Sequence, residues 1–357
     1  MSTRDDDRPA AGRQHAAVVY NPVKTPLERL RVVVAEQEVQ HGWAQTRWYE
    51  TSGDDAGRAA AEDALASAPA VVMVGGGDGT VRAVAEALQG TGIPVALVPL
   101  GTGNLLARDV GAPLNDIAAC VRAAFGGEEV SVDVGVAELE DENGLHRTHT
   151  FMVMAGIGLD AEMAQSTSAI AKKHLGWLAY VAPIARSVIG NKLFHLDYRI
   201  DGGRARSTRA HTVIVGNCGT LTGNMLLIPA AIIDDGLLDV VMMRPAGRFG
   251  WARIGIRLTL QGLARRSSLS RKLLQQTPDL HALAYVQGSR FEARFDAPHL
   301  IELDGDGFGR ITRVRVSVRA GALRVRVPRS QEFDAEERHG SAAAVTTVET
   351  QVRQQRG

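Results

Sequence analysis

Residues 71–88, VVMVGGGDGTVRAVAEAL, pass from a β-branched apolar run into a helix-forming segment through Gly75, Gly76, Gly77 and Gly79. A short, wholly apolar run is a strand covered on both faces, and a helix following at once implies a crossover to a parallel neighbour. The same alternation surrounds this stretch. HAAVVYNP reads as a strand, 26–41 as a helix, AQTRWYET as a strand and 55–67 as a helix. AVVMV, a helix over 80–89, PVALVPL and a helix from about 103 continue it. The pattern predicts a doubly wound α/β nucleotide-binding domain over residues 15–130.

Four glycines in one turn cost backbone entropy, so a reason for them is required. A glycine turn between a strand and a helix N-terminus gathers unobstructed N–H groups where the helix dipole is positive, which suits phosphate. The turn is neither GxxxxGK[ST] nor GxGxxG. An aspartate beside phosphate makes sense with a bridging cation, so Asp78 is expected to hold Mg²⁺ or a water on it. Thr80 is expected to cap the helix and bond a phosphate oxygen. A second device, PLGTGNLLARDVGAP, puts Gly101, Thr102, Gly103 and Asn104 after the next strand. Both turns then lie on the carboxyl edge of one parallel sheet, joined by Asn21, Pro22, Lys24 and Thr25 after the first strand and Thr51 after the second. Several such turns on one edge point to a nucleotide site.

From about residue 130 the pattern is β-rich. EVSVDVGVAEL, HTFMVMAGIG, FHLDYRID, AHTVIVGN, LLDVVMMRP, RFEARFD, HLIELDGD and VRVSVRAGALRVRVP are strand-like, with helical stretches near 160–190 and 247–276. A second, β-rich, sandwich-like domain is therefore expected over 131–329, with the chemistry in the cleft between the two. Residues 1–14 and 330–357 lack hydrophobic periodicity and read as a disordered lead and tail.

Forty basic and forty acidic residues give zero net charge, which excludes a general nucleic-acid binder. Cys120 and Cys218 fit no metal or redox spacing and read as small buried residues in a reducing compartment. The polar N-terminus and the lack of an apolar run of ~18–20 residues predict a cytoplasmic protein. Residues 248–272 carry seven basic and no acidic residues among apolar ones, a pattern suited either to an anionic membrane surface or to packing on the second domain.

GGGDGT followed by PLGTGN resembles the catalytic domain shared by soluble diacylglycerol kinases, sphingosine and ceramide kinases and related bacterial lipid kinases. NPVKT is similar to the family's NPxSG loop, and FMVMAGIGLDAEM to the opening of its second domain. IIDDGLLDV resembles its DDGLLDV stretch, and LDGDG stands where the family has DGE. The resemblance covers nearly all of 15–328 and implies transfer of the ATP γ-phosphoryl group to a lipid hydroxyl, with diacylglycerol first in line. By position, Asn21 to Thr25, Thr51, Gly76 to Thr80 (Gly77 and Gly79 included) and Thr102 would line the ATP site. Asp235, with the carbonyls of Ile232 and Leu237, resembles the family's structural Mg²⁺ site. Asp306 would accept the hydroxyl proton, with Asp304 in support.

Two departures stand out. Asp306 is one methylene shorter than the family's glutamate. Leu105 replaces an aspartate common in diacylglycerol kinases, which leaves Asp78 and Asp133 for the metal–water network. The implied partners are a lipid substrate and an anionic membrane surface, with a homodimer left open. A sphingoid-base kinase, an NAD kinase-like enzyme and a catalytically decayed lipid- or nucleotide-binding regulator remain the alternatives.

Overall fold

The computed structural model describes residues 13–53, 55–158, 193–218, 220–221, 225–226, 231–244 and 283–329. The expected helices near 160–190 and 247–276, the basic segment 248–272 and both predicted tails lie essentially outside them.

The N-terminal part runs β1 (His15–Tyr20), α1 (Leu27–His41), β2 (Ala44–Glu50), α2 (Arg58–Ala66), β3 (Val71–Gly76), α3 (Asp78–Leu88) and β4 (Val95–Pro99). Two further helices follow, α4 (Leu105–Asp109) and α5 (Ile117–Gly126). The helix expected from about 103 is thus two helices. Gly111, at φ +70°, and Pro113 end the first, and Asp116 caps the second by accepting the Ala119 N–H at 3.0 Å.

The four strands are parallel in the order β4-β3-β1-β2. Val71 to Val74 are fully buried because helices cover both faces. On one side Leu30 and Val34 of α1 pack with Val121, Ala124 and Phe125 of α5. On the other, Ala60, Ala61 and Ala64 of α2 meet Val84, Ala85 and Leu88 of α3. Each large apolar side chain sealed this way contributes roughly 1.5–3 kcal/mol. The chain leaves β1 toward β2 and then crosses back to β3, so the crevice at the carboxyl ends of β1 and β3 is the sheet's switch point.

The second half is antiparallel. It comprises β5 (Glu128–Glu140), β6 (His146–Phe151), β7 (Met154–Ile157), β8 (Phe194–Ile200), β9 (Arg206–Ala210) and β10 (Thr212–Gly216). Two-residue strands β11 (Thr220–Leu221) and β12 (Met225–Leu226) pair with each other. β13 (Leu238–Met243), β14 (Leu283–Gly288), β15 (Arg290–Leu303) and β16 (Asp306–Val327) complete it. The expected runs RFEARFD and HLIELDGD are one strand, β15, with a register shift between Arg294 and His299. β9 and β14 are not evident in the sequence, since RSTRA is too polar for a strand pattern and LAYVQG forms an edge strand held by its pairing with β13.

β16 is antiparallel to β5 and β15, yet near its end Val325 and Arg326 pair parallel with Val95 and Ala96 of β4. Both halves therefore share one continuous sheet, and the 130/131 boundary falls inside β5. Chain architecture is mixed: a doubly wound α/β unit and a β-rich unit, stitched together by the last long strand.

Candidate active site

The first glycine turn is built by its neighbours. Asn21 N–H donates to Gly75 O at 2.8 Å and Thr25 Oγ1 donates to the same carbonyl at 3.2 Å, so the loop after β1 is tied to the end of β3. Asn21 Oδ1 accepts the Val23 and Lys24 N–H groups, which turns the chain at Pro22 and Val23. The Lys24 ammonium stands 3.2 Å from where a Cβ on Gly77 would be. A cation thus lies against the N-terminal turn of α3. Thr51, buried, extends this edge through its N–H to Tyr20 O at 2.9 Å.

Thr80 does not cap α3. The helix begins at Asp78 with Gly77 as N-cap and no side-chain cap, and Thr80 lies inside the first turn, packed on Gly76. A Cβ on Gly76 would come within 2.7 Å of Thr80 Cβ.

Asp78 caps a different helix. Its Oδ2 accepts the Asn104 N–H at 2.9 Å and its Oδ1 the Leu105 N–H at 2.7 Å. Asn104, in the left-handed region at φ 49°, folds its side chain back on Gly101, accepting that N–H at 2.9 Å and donating to its carbonyl at 3.0 Å. The two glycine turns are therefore one interlocked unit. A Cβ on Gly101 would lie 2.7 Å from Gly77 Cα, and one on Gly103 2.6 Å from Asp78 Oδ2. Several glycines expected to make room for a ligand are thus also required by loop-on-loop contact. Thr102 is exposed at the tip. Burial pushes the Asp78 carboxyl above the ordinary range against its two N–H donors, and the Asp306 charge adds to that push.

The Asp304/Asp306 segment is a two-residue hairpin rather than an open loop. Asp304 and Gly305 have φ 51° and 87°, the paired positive values of a turn matched to strand twist, and Leu303 faces Asp306 across it. The two carboxylates have different tasks. Asp304 is buried: Oδ2 accepts the Met152 N–H at 2.8 Å, and Oδ1 accepts Val153 and Met154 N–H at 2.8 and 3.0 Å. It anchors the hairpin to the β6–β7 connection, and burial pushes it up to about 6 despite those donors. Asp306 reaches across to α3, where its Oδ2 accepts from Arg82 Nη2 at 3.0 Å and lies 2.9 Å from where a Cβ on Gly79 would be. The shorter side chain therefore still spans to the N-terminal turn of α3.

Asp133 stands elsewhere. Its Oδ1 accepts the Gly321 N–H at 2.7 Å and its Oδ2 the Gly236 N–H at 2.6 Å, in a residue only 1% exposed. Those contacts make it a brace between β16 and the Asp235 turn, each oxygen taking one backbone N–H as the oxygens of Asp78 do. In that turn Asp235 Oδ1 accepts the Leu237 N–H at 2.9 Å, the Asp133 N–H donates to Ile233 O at 2.8 Å, and Ile232 is exposed. Leu105, at the position of the family's aspartate, turns its side chain into the core and offers only its N–H.

Among the described residues no three His, Cys, Asp or Glu side chains converge as a metal cage. Mg²⁺ commonly binds through one or two carboxylates plus phosphate oxygens and water. Asp78, with phosphate oxygens and water completing the shell, fits that donor set, and Asp306 stands near enough for its charge to bear on the Asp78 carboxyl.

Arg82 and Glu86 on α3 escaped the sequence reading. Glu86 pairs with Arg58 of α2 at 3.2 Å and accepts the Thr150 N–H at 3.2 Å, joining the two halves. A signal existed: both charges lie on a helix that buries much of its surface, and Arg82 falls four residues after Asp78.

Residues 15–137 match the diacylglycerol kinase catalytic domain, and residues 153–262 match the YegS C-terminal NAD kinase beta sandwich-like domain. A Synechocystis protein without assigned function is 26% identical over 259 residues, 72% of this chain and 54% of that protein. A Mycobacterium tuberculosis protein named diacylglycerol kinase is 30% identical over 187 residues, 52% of this chain and 58% of that protein. The chain thus spans little more than half the length of these two relatives. A Pseudomonas aeruginosa protein named "Probable lipid kinase YegS-like" is 33% identical over 223 residues, 60% of this chain and 68% of that protein. A crystal structure of a diacylglycerol kinase from Bacillus anthracis superposes with a TM-score of 0.59 at 19% identity, covering 88% of this chain and 97% of that one, which speaks to the fold alone. With both matched domains in order and a relative covered over two thirds of its length, the chain belongs to the diacylglycerol kinase catalytic-domain family.

Proposed function

We propose that the protein is an ATP- and Mg²⁺-dependent lipid kinase that phosphorylates a lipid hydroxyl, diacylglycerol to phosphatidic acid foremost. The observation that carries this reading is the interlocked pair of glycine turns at the sheet's switch point, with Asp306 brought onto them from the other half of the chain. In this reading the turns Gly76–Thr80 and Gly101–Asn104, the loop Asn21–Thr25 and Thr51 line the nucleotide, with Lys24 beside the phosphates. Asp78 would hold Mg²⁺ directly or through water, and a cation there would supply neutralisation of charge on the phosphoryl oxygens. Asp306 Oδ1, the oxygen not engaged by Arg82, accepts the proton of the lipid hydroxyl. Asp304 keeps the hairpin in place, and the Asp235 turn with the carbonyls of Ile232 and Leu237 would hold a second, structural cation.

No helix among the described residues is long and apolar enough to cross a membrane. A kinase of this kind meets its lipid at a membrane surface, which gives the basic segment 248–272 its proposed role on an anionic bilayer. Leu105, with its side chain buried, favours one second reading: a nucleotide- and lipid-binding regulator without turnover.

Radiolabelled phosphate transfer from ATP and Mg²⁺ to diacylglycerol in mixed micelles, beside sphingosine, ceramide and NAD, separates these. Label on diacylglycerol is expected, and Asp306→Asn should remove most of it while leaving the protein folded. Nucleotide binding with no label on any acceptor would replace the kinase by the regulator, and label on NAD alone would overturn both.

A further inference from the structure

Arg82 is 8% exposed, on a helix that buries much of its surface. A buried guanidinium is costly to desolvate, and an apolar side chain of similar volume would suit helix packing at least as well. Its contacts are specific. Nη2 donates to Asp306 Oδ2 at 3.0 Å across 224 positions of sequence, and Cζ stands 4.7 Å over the Phe308 ring. That ring leans on His149 with centroids 4.5 Å apart, so the stacking surface is itself supported. Arg82 Nε is buried without a hydrogen-bond partner. One side chain thus grips one face of the hairpin strand just beyond its turn, where Asp306 and Phe308 stand two residues apart: Asp306 by charge and Phe308 by a cation–π contact. Asp306, whose side chain is 49% exposed, would otherwise sample several rotamers.

We infer that Arg82 is a positioning residue for phosphoryl transfer, holding the Asp306 carboxylate against Gly79 at the N-terminal turn of α3. This rests on the kinase reading above. In the transfer the lipid hydroxyl oxygen forms the new P–O bond as the bond from the γ-phosphorus to the bridging oxygen breaks. ADP leaves with that electron pair, and the hydroxyl proton passes to Asp306 Oδ1. Arg82 occupies Oδ2, so the carboxylate presents one defined oxygen to the hydroxyl. Arginine suits this task because its planar fork can stack on a ring and donate to a carboxylate at once.

The test is steady-state kinetics on the full chain with ATP, Mg²⁺ and diacylglycerol micelles. Arg82→Met is expected to lower kcat on the order of 10²-fold, the scale of a misplaced catalytic group, with the KM for ATP little changed. Arg82→Lys keeps a charge without the fork and should fall between, and guanidinium ion should restore part of the turnover of Arg82→Ala. Phe308→Leu, which keeps the ion pair and removes the stacking surface, should lower kcat by a smaller factor and guards against misfolding of the arginine variants. In an Asp306→Asn background Arg82→Met should have almost no further effect, because a residue acting through Asp306 has nothing left to position. Multiplicative losses in the double variant, or wild-type kcat in Arg82→Met beside an inactive Asp306→Asn, would overturn this inference and leave the kinase reading standing. Full turnover in Asp306→Asn, or no transfer to any lipid, would overturn the base assignment and this inference with it.

Discussion

Asp304→Asn removes one charge from the most buried carboxylate of the site and leaves its shape unchanged. In the folded chain burial raises this carboxyl from 3.8 to about 6. The folded state therefore binds the proton more tightly than the unfolded state, and stability is lost as pH rises between the two values. With 1.36 kcal/mol per unit, the cost of the ionised form is about 1 kcal/mol at pH 4.5 and approaches about 3 kcal/mol at pH 7.5. Asparagine has no such titration. It keeps one oxygen for Val153 and Met154 but turns an amide toward the Met152 N–H, a penalty of about 1–3 kcal/mol at every pH. The stability of wild type minus that of the variant should therefore fall by about 2 kcal/mol from pH 4.5 to 7.5. Urea unfolding of both proteins at the two pH values reads this, and all other titrating groups cancel in the difference. Parallel stabilities would refute the assignment of a raised, desolvated carboxyl at Asp304.

The remaining predictions concern the neighbouring contacts. Gly103→Ala puts a Cβ 2.6 Å from Asp78 Oδ2, so the interlocked turns must separate; ATP affinity should drop about tenfold in calorimetry while far-ultraviolet dichroism is unchanged. Asp78→Ala leaves the Asn104 and Leu105 N–H groups without their acceptor, and a destabilisation of about 2–4 kcal/mol should accompany loss of turnover. A variant stable as wild type would show that the second turn does not depend on Asp78. Asp133→Ala strands the Gly236 and Gly321 N–H groups and should cost a similar amount in urea, with the KM for ATP unaffected because Asp133 belongs to the Asp235 turn.

Local pattern carried much of this. Strand–helix alternation from His15 to Leu88 was legible because burial on both faces demands continuous apolar runs, and those runs need no knowledge of their neighbours. Both glycine turns were visible for the same reason, and a parallel sheet puts successive turns on one edge. The family resemblance singled out Asp306, and only the fold could say what surrounds it. Nothing within a few residues of Asp304 indicates that it accepts three N–H groups some 150 positions away, or that Asp133 serves the turn at Gly236. The place of Thr80 after glycine suggests a cap, but the helix starts two residues earlier. β9 and β14 were missed because edge and short strands owe their existence to a partner rather than to their own pattern.

From the sequence alone came the α/β first half, the β-rich second half and the glycine-lined edge, since each depends on periodicities of a few residues. The tertiary structure decided which glycines make room for backbone, which carboxylate anchors and which reaches the site, and that Arg82 and Asp306 meet at all. Those outcomes depend on how β15 and β16 pair and on β16 joining β4, a long-range register that no local stretch encodes.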